Sequence, residues 1–276
     1  MLNTKMKKLV WINLIFVCAT SCHKREVKEV DLGKYFEEFH VEGSFILFDQ
    51  QLQQATTYNS ERCKEQFSPA STFKIANSII GIEEGILTGE DYVFKWDSVE
   101  SWNPSWNKDL TLKEAFRASC LPCYIRMANQ IGIEKYRHYL QVLGYGDEMK
   151  EVSDSLFNKE KINFWVTGQL RISQEEQIGF LRKLYYDQLP VSKKAIDITK
   201  SILIDEQGDG FILSGKTGWT TDPVIQSDVG WYVGYLEKGG NVYFFATNIE
   251  SKEPLDSFVK ARKEITMNIL RELKLL

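Results

Sequence analysis

The sequence predicts an α+β fold: one mostly antiparallel sheet built from both chain termini, flanked by helices, with a helical insertion at about 90–205. Three observations carry that reading. Strand-like apolar and aromatic runs lie near the start, at Ser44–Phe48 and Thr56–Tyr58, and again late, at Gly210–Ser214, Val229–Leu236 and Val242–Asn248. Between the two groups, apolar residues recur at helical spacing. No internal repeat or low-complexity linker divides the ends, so their strands read as parts of one sheet. A chain of 276 residues, 43% hydrophobic and 26% charged, can bury a large core in one domain. Its net charge is −4 and its Lys and Arg residues are scattered, so nucleic acid is not an expected partner.

In chain order, residues 1–21 read as an export signal. Lys5, Lys7 and Lys8 precede the apolar run Leu9–Val17, and Ala19, Thr20 and Ser21 lead to Cys22. The run is too short to span a membrane as a mature helix. Small residues before a cysteine also resemble a bacterial lipoprotein cleavage site, which would make Cys22 a lipidated first residue of a 22–276 domain. Plain cleavage and a retained anchor are the alternatives. The expected location is the periplasm, with a membrane tether through Cys22 if it is lipidated, and the polar stretch His23–Glu29 as tether.

The first two strands form a hairpin across the polar Asp49–Gln54 turn. Pro69 then marks a helix start, and the apolar run from Ile75 ends near Gly85. Glu90–Lys108 is a loop, with Trp96, Trp102 and Trp106 expected as anchors rather than a sugar-binding strip. Helices follow at Leu112–Ala118, Pro122–Gly132 and Ile133–Leu143, so Ser119-Cys120-Leu121 falls in a bend. Ser173 and Glu176 have capping-box spacing ahead of Ile178, Leu181 and Leu184, and Val191–Ile204 is one more helix. Lys238-Gly239-Gly240-Asn241 is the turn between the last two strands, and Leu255–Leu273 a closing amphipathic helix.

Five cysteines occur, two of them in the leader. Cys63, Cys120 and Cys123 are too few for a disulfide framework, and no second Cys-x-x-Cys implies zinc. Cys120 and Cys123 read as packing or a local disulfide. His23, His40 and His138 are far apart, so neither a metal site nor a histidine triad is expected.

The chemistry is concentrated in Ser71 and Lys74. One helical turn apart, a hydroxyl and an amine can share a proton, and a buried lysine of lowered pKa can act as base for the serine. Phe73, Ile75, Ile79 and Ile80 would supply the burial. The spacing alone is weak, because Ser21/Lys24, Ser105/Lys108 and Ser257/Lys260 share it. Lys216-Thr217-Gly218, at the end of the first late strand, occurs once; its lysine and threonine can hold an anion while glycine permits close backbone approach.

Taken in order, Ser71 to Lys74, Ser119 to Leu121, Tyr145-Gly146-Asp147, Trp165-Val166-Thr167-Gly168 and Lys216 to Gly218 resemble a class D, oxacillinase-type, serine β-lactamase. The resemblance spans nearly the whole mature chain and implies the penicillin-binding/serine β-lactamase fold. It implies that Ser71 attacks the β-lactam carbonyl, and that Lys74, carboxylated by carbon dioxide and held by Trp165, is the base. Ser119 would relay a proton to the leaving nitrogen. Lys216, Thr217 and Arg262 would bind the substrate carboxylate, with the Ser71 and Trp219 amides as oxyanion hole and Gly218 and Leu121 beside them. No cofactor beyond carbon dioxide or bicarbonate, and no metal, is implied; the state would be monomer or homodimer. Leu121 stands where the family usually has valine and Val166 where it often has leucine, an exchange that conserves volume. Asp147 replaces an asparagine. A β-lactam sensor and a penicillin-binding D,D-peptidase, which acylate without efficient turnover, are the competing readings. Sensors carry transmembrane segments upstream, where this sequence has a signal-length leader, and peptidases typically place asparagine where Leu121 stands.

Overall fold

The computed structural model describes residues 26–146, 162–253 and 256–276. The leader with Cys22, and Asp147, lie outside those residues. The described chain begins β1 (Glu26–Glu29), α1 (Gly33–Glu37), β2 (Glu42–Asp49), β3 (Gln54–Tyr58) and α2 (Lys74–Glu83). The middle comprises the short pair β4 (Val93–Phe94) and β5 (Leu110–Thr111), then α3 (Leu112–Arg117), α4 (Leu121–Ile131), α5 (Ile133–Leu143), α6 (Gln174–Tyr185) and α7 (Lys193–Leu203). It ends with β6 (Ile204–Gly208), β7 (Phe211–Asp222), β8 (Ser227–Lys238), β9 (Asn241–Ser251) and α8 (Phe258–Glu272).

Among the described residues the main sheet has the order β1-β3-β2-β9-β8-β7-β6, so the two chain ends meet where β2 pairs with β9. That junction runs from Glu42↔Glu250 to Asp49↔Tyr243, antiparallel like every other pairing in the sheet except β1–β3. The predicted two-ended sheet is therefore the observed one. At the β8–β9 turn, Gly239 and Gly240 have φ of 60° and 78°, the positive values that a two-residue hairpin turn of this kind requires.

Several strands depart from expectation: β4 lies within the expected loop Glu90–Lys108, and β5 and β6 were not expected, while β1 and β7 bear most on the sheet. Part of the expected tether, Glu26–Glu29, is a strand parallel to β3, held further by Val30 N–H on Thr57 O at 2.8 Å. The outer edge of β3 presents unpaired backbone groups, and these recruit a polar segment that composition reads as linker. Lys216-Thr217-Gly218 lies inside β7 rather than at its end, because pairing with β8 continues to Asp222↔Ser227. On the other side β6 pairs only from Phe211 to Ser214, which frees that edge of β7 beyond residue 214 to face the turn carrying Ser71.

The sheet has a core on each face. Along β8, Trp231, Val233 and Tyr235 join the helical-insertion side, while Tyr232 and Leu236 join the side covered by α1 and α8. Helix α2 is buried from Lys74 through Ile82, as expected of a helix apolar nearly all round, and packs against α4, α5 and α7. In the loop before α3, Trp106 is buried and donates its indole N–H to Ala118 O at 2.8 Å, so it is an anchor. Trp102 is not: it is 76% exposed and meets only the edge of the Trp106 ring, because the loop passes over the surface and can bury one indole but not both.

Candidate active site

Ser71 sits on a short 3-10 turn, Ala70–Phe73, that leads directly into α2. The turn is strained and held from several sides. Ala70 has φ of 51°, a left-handed conformation that costs a non-glycine residue about 1–2 kcal/mol. Its N–H donates to Trp165 O at 2.9 Å, the Thr72 hydroxyl to Pro69 O at 2.7 Å, and Gln177 Nε2 to the Thr72 hydroxyl at 2.9 Å. Tyr145, from the expected Tyr-Gly loop, packs edge-on against Phe73 and accepts from Gln177.

Lys74 is fully buried, and its ammonium lies 3.0 Å from Ser71 Oγ and 5.1 Å from the centre of the Tyr124 ring. Burial pulls its pKa from 10.5 to about 7, because no carboxylate offsets the loss of water around the cation. Trp165 is likewise buried, stacks on Phe73 at 5.6 Å, and leaves its indole N–H without an acceptor.

Ser119 occupies the bend between α3 and α4 with φ of 54°. It accepts a hydrogen bond from Lys216 Nζ at 2.5 Å. Lys216 is buried within β7, and burial first, then the charges of Lys74 and Arg262, hold it well below the ordinary lysine range. Gly218 lets β7 come close: a Cβ there would sit 3.0 Å from Pro69 O and 3.3 Å from Ser71 N. Arg262, on the first turns of α8, donates to Gly218 O at 2.9 Å, and burial lowers it to about 10.

The expected residues thus converge. Ser71, Ser119, Leu121, Thr217, Trp219 and Arg262 line one cleft of about 430 Å³, which Val166 also lines; among the described residues its lining includes no acidic side chain. Lys74 and Trp165 are buried, and Lys216, hydrogen-bonded to Ser119, lines a neighbouring cavity of about 330 Å³. With Lys74, Lys216 and Arg262 grouped so, the cleft favours an anionic ligand and disfavours a third charged ammonium. Arg117 lines the cleft without having been singled out, although it stands two residues before Ser119, which was the available hint; Trp102, expected as a buried anchor, lines the cleft instead. Asp222 was also missed. It is fully buried, accepts from Ser68 N at 3.1 Å and pairs with Arg171 at 3.1 Å, tying the strap before Ser71 to the end of β7. Burial raises its pKa, but the N–H groups of Ser68 and Val224 and the Arg171 charge outweigh that and keep it below the ordinary range.

Residues 43–271 match the penicillin binding protein transpeptidase domain. Beta-lactamase OXA-48 of Klebsiella pneumoniae is 36% identical over 242 residues, covering 88% of this chain and 87% of that protein. This chain belongs to the class D β-lactamases. The crystal structure of the class D β-lactamase from Sebaldella termitidis superimposes with a TM-score of 0.83 at 38% identity, covering 91% of this chain and 99% of that one. The C-terminal domain of the Bacillus licheniformis BlaR penicillin-receptor gives the same TM-score at 30% identity, covering 91% and 98%.

Proposed function

We propose that this class D β-lactamase opens the β-lactam ring through an acyl-enzyme on Ser71, with Lys74 as base in a carboxylated form. The observation that carries the reading is the buried Lys74 amine, of pKa about 7, 3.0 Å from the Ser71 hydroxyl. Only a neutral amine adds to carbon dioxide, forming an N–C bond and releasing one proton. At neutral pH about half of such amines are neutral, against about one in a thousand for an exposed lysine. The residues around it fit the added group: the Trp165 indole N–H is buried with no acceptor, an arrangement costing about 1–3 kcal/mol that a carboxylate beside it would relieve. Attached to Lys74, the group supplies oxygen acceptors for the protons of Ser71 and of the hydrolytic water.

Ser71 Oγ then attacks the lactam carbonyl, and the ring C–N bond breaks as the nitrogen takes a proton from Ser119. Lys216 restores that proton through its hydrogen bond, and burial, which holds its pKa below the ordinary lysine range, weakens its hold on the proton it gives. Thr217 and Arg262 hold the substrate carboxylate. The amides of Ser71 and Trp219 stabilise the oxyanion, each donor worth about 3–4 kcal/mol. Water releases the acyl group, and Leu121 and Val166 shape the apolar wall beside it. The leader and Cys22 support an exported, periplasmic enzyme that lipidation of Cys22 would anchor.

A β-lactam sensor is the second reading, favoured by the likeness to the BlaR receptor domain. A chromogenic cephalosporin separates the two. The enzyme gives many turnovers, raised by bicarbonate and abolished in Lys74→Ala, and labelled bicarbonate gives a carbamate carbon resonance on the protein. Release of one equivalent of product, unaffected by bicarbonate, would establish the sensor instead.

A further inference from the structure

Ser119 stands at the end of α3, where a helix reverses through a left-handed residue. Its N–H donates to Phe116 O at 3.1 Å, and the Cys120 N–H to Ala115 O at 2.8 Å. That pair of bonds is a Schellman ending, in which the left-handed position is normally glycine. Here a serine holds it, at φ of 54°, with its hydroxyl accepting from Lys216 Nζ. A non-glycine residue persists in such a conformation only where its surroundings over-determine it.

What over-determines it is the next residue. Cys120 is both the last member of the α3 ending and the N-cap of α4, and it is disulfide-bonded to Cys123 in the first turn of α4. Its sulfur also accepts the Cys123 N–H at 3.2 Å, and both cysteines are buried. The bond therefore joins the end of one helix to the beginning of the next, immediately beyond the strained serine. Without it, Cys120 would be only a weak sulfur cap, since sulfur is a poor acceptor. The backbone at 119 could then relax towards negative φ and carry the hydroxyl away from Lys216.

We propose that the Cys120–Cys123 disulfide is a positioning device for Ser119, fixing the turn that presents its hydroxyl to Lys216, so that loss of the bond slows proton transfer rather than substrate capture. The inference rests on the reading of Ser119 as proton relay. The bond is lost when two electrons from an external dithiol convert it to two thiols, the dithiol becoming a disulfide. Neither cysteine lines the substrate cleft, so any effect on turnover is indirect: through Ser119 and Leu121 in the turn, or through Tyr124, whose ring lies 5.1 Å from the Lys74 ammonium, and a shift on the Lys216 limb of the pH profile distinguishes the first route from the second.

The test compares Cys120→Ala, Cys123→Ala, the double variant, and wild type refolded under a dithiol, with active sites counted by acylation with a labelled penicillin. Alkylation of the tryptic peptide Ala118–Arg126 reports whether the bond is present. All four are expected to lose the same factor in kcat, about tenfold, with KM within about twofold. Their pH profiles should shift together on the limb set by Lys216. Because each removes the same bond, the single losses should not add in the double variant. Reoxidation should restore the reduced wild type and none of the variants. Unchanged kcat per titrated site, or losses that add, would overturn the proposal in favour of simple packing. If neither the variants nor the reduced wild type folds, the bond is a folding constraint and the positioning claim fails. Ser119→Ala in the oxidised protein keeps the two readings apart. If it retains full turnover the relay itself is wrong, whereas a dead Ser119→Ala with fully active cysteine variants sinks only the disulfide claim.

Discussion

Ser119 and Lys74 show how much of this site depends on residues held in states they would not choose. Ser119 has φ of 54°, where an alanine would be strained and a glycine would not. Ser119→Gly and Ser119→Ala both remove the hydroxyl that accepts from Lys216, so their difference isolates the backbone. The glycine variant should be more stable by about 1 kcal/mol in denaturant unfolding, with both inactive. Lys74 is held out of water. Its folded pKa of about 7 lies below the ordinary 10.5, so between those values the unfolded chain binds a proton that the folded chain does not. Stability from this group therefore rises with pH through that window, and is at its lowest below it, where both states are protonated. In carbon-dioxide-free buffer, wild type should gain more unfolding free energy than Lys74→Met between about pH 7 and 9. Equal slopes would show that Lys74 is not desolvated.

At the scale of elements, the site exists because β7 runs against the turn that opens α2. Their approach is limited by Gly218, where an added Cβ would stand 3.0 Å from a backbone oxygen and 3.1 Å from Thr72 Cγ2. Gly218→Ala should push the strand away by a few tenths of an ångström and separate Lys216 and Trp219 from Ser71. The expected result is a fall in kcat/KM of about tenfold or more, with the melting temperature little changed, read by steady-state kinetics and calorimetry. The start of α2 was legible from Pro69 and the apolar run after Lys74, and the Ser119 bend from Pro122. The length of β7 was not. Its second half alternates polar and apolar poorly, and it is a strand because β8 pairs with it through Asp222. The same holds for β1, whose charged sequence pairs only because β3 offers an open edge.

For the molecule as a whole, two cores on opposite faces of one sheet divide stability from chemistry. Leu270 is buried in the face covered by α8, and Phe164 in the face that holds Trp165 and Phe73. Leu270→Ala should cost about 3 kcal/mol while kcat of the folded protein stays near wild type. Phe164→Ala should cost a similar amount and also lower kcat and bicarbonate activation, because the indole it packs against would lose its place. A Leu270→Ala enzyme with strongly reduced kcat would show that the two faces are not separable. The sequence by itself determined the two-ended sheet and the motif residues of the cleft, though not Arg117, because hydrophobic periodicity and motif order survive without coordinates. The fit of the cleft was decided only in three dimensions: the burial that lowers Lys74, the approach of β7 at Gly218 and the Asp222–Arg171 pair. Desolvation and close approach depend on which distant segments pack together, and no local pattern encodes that.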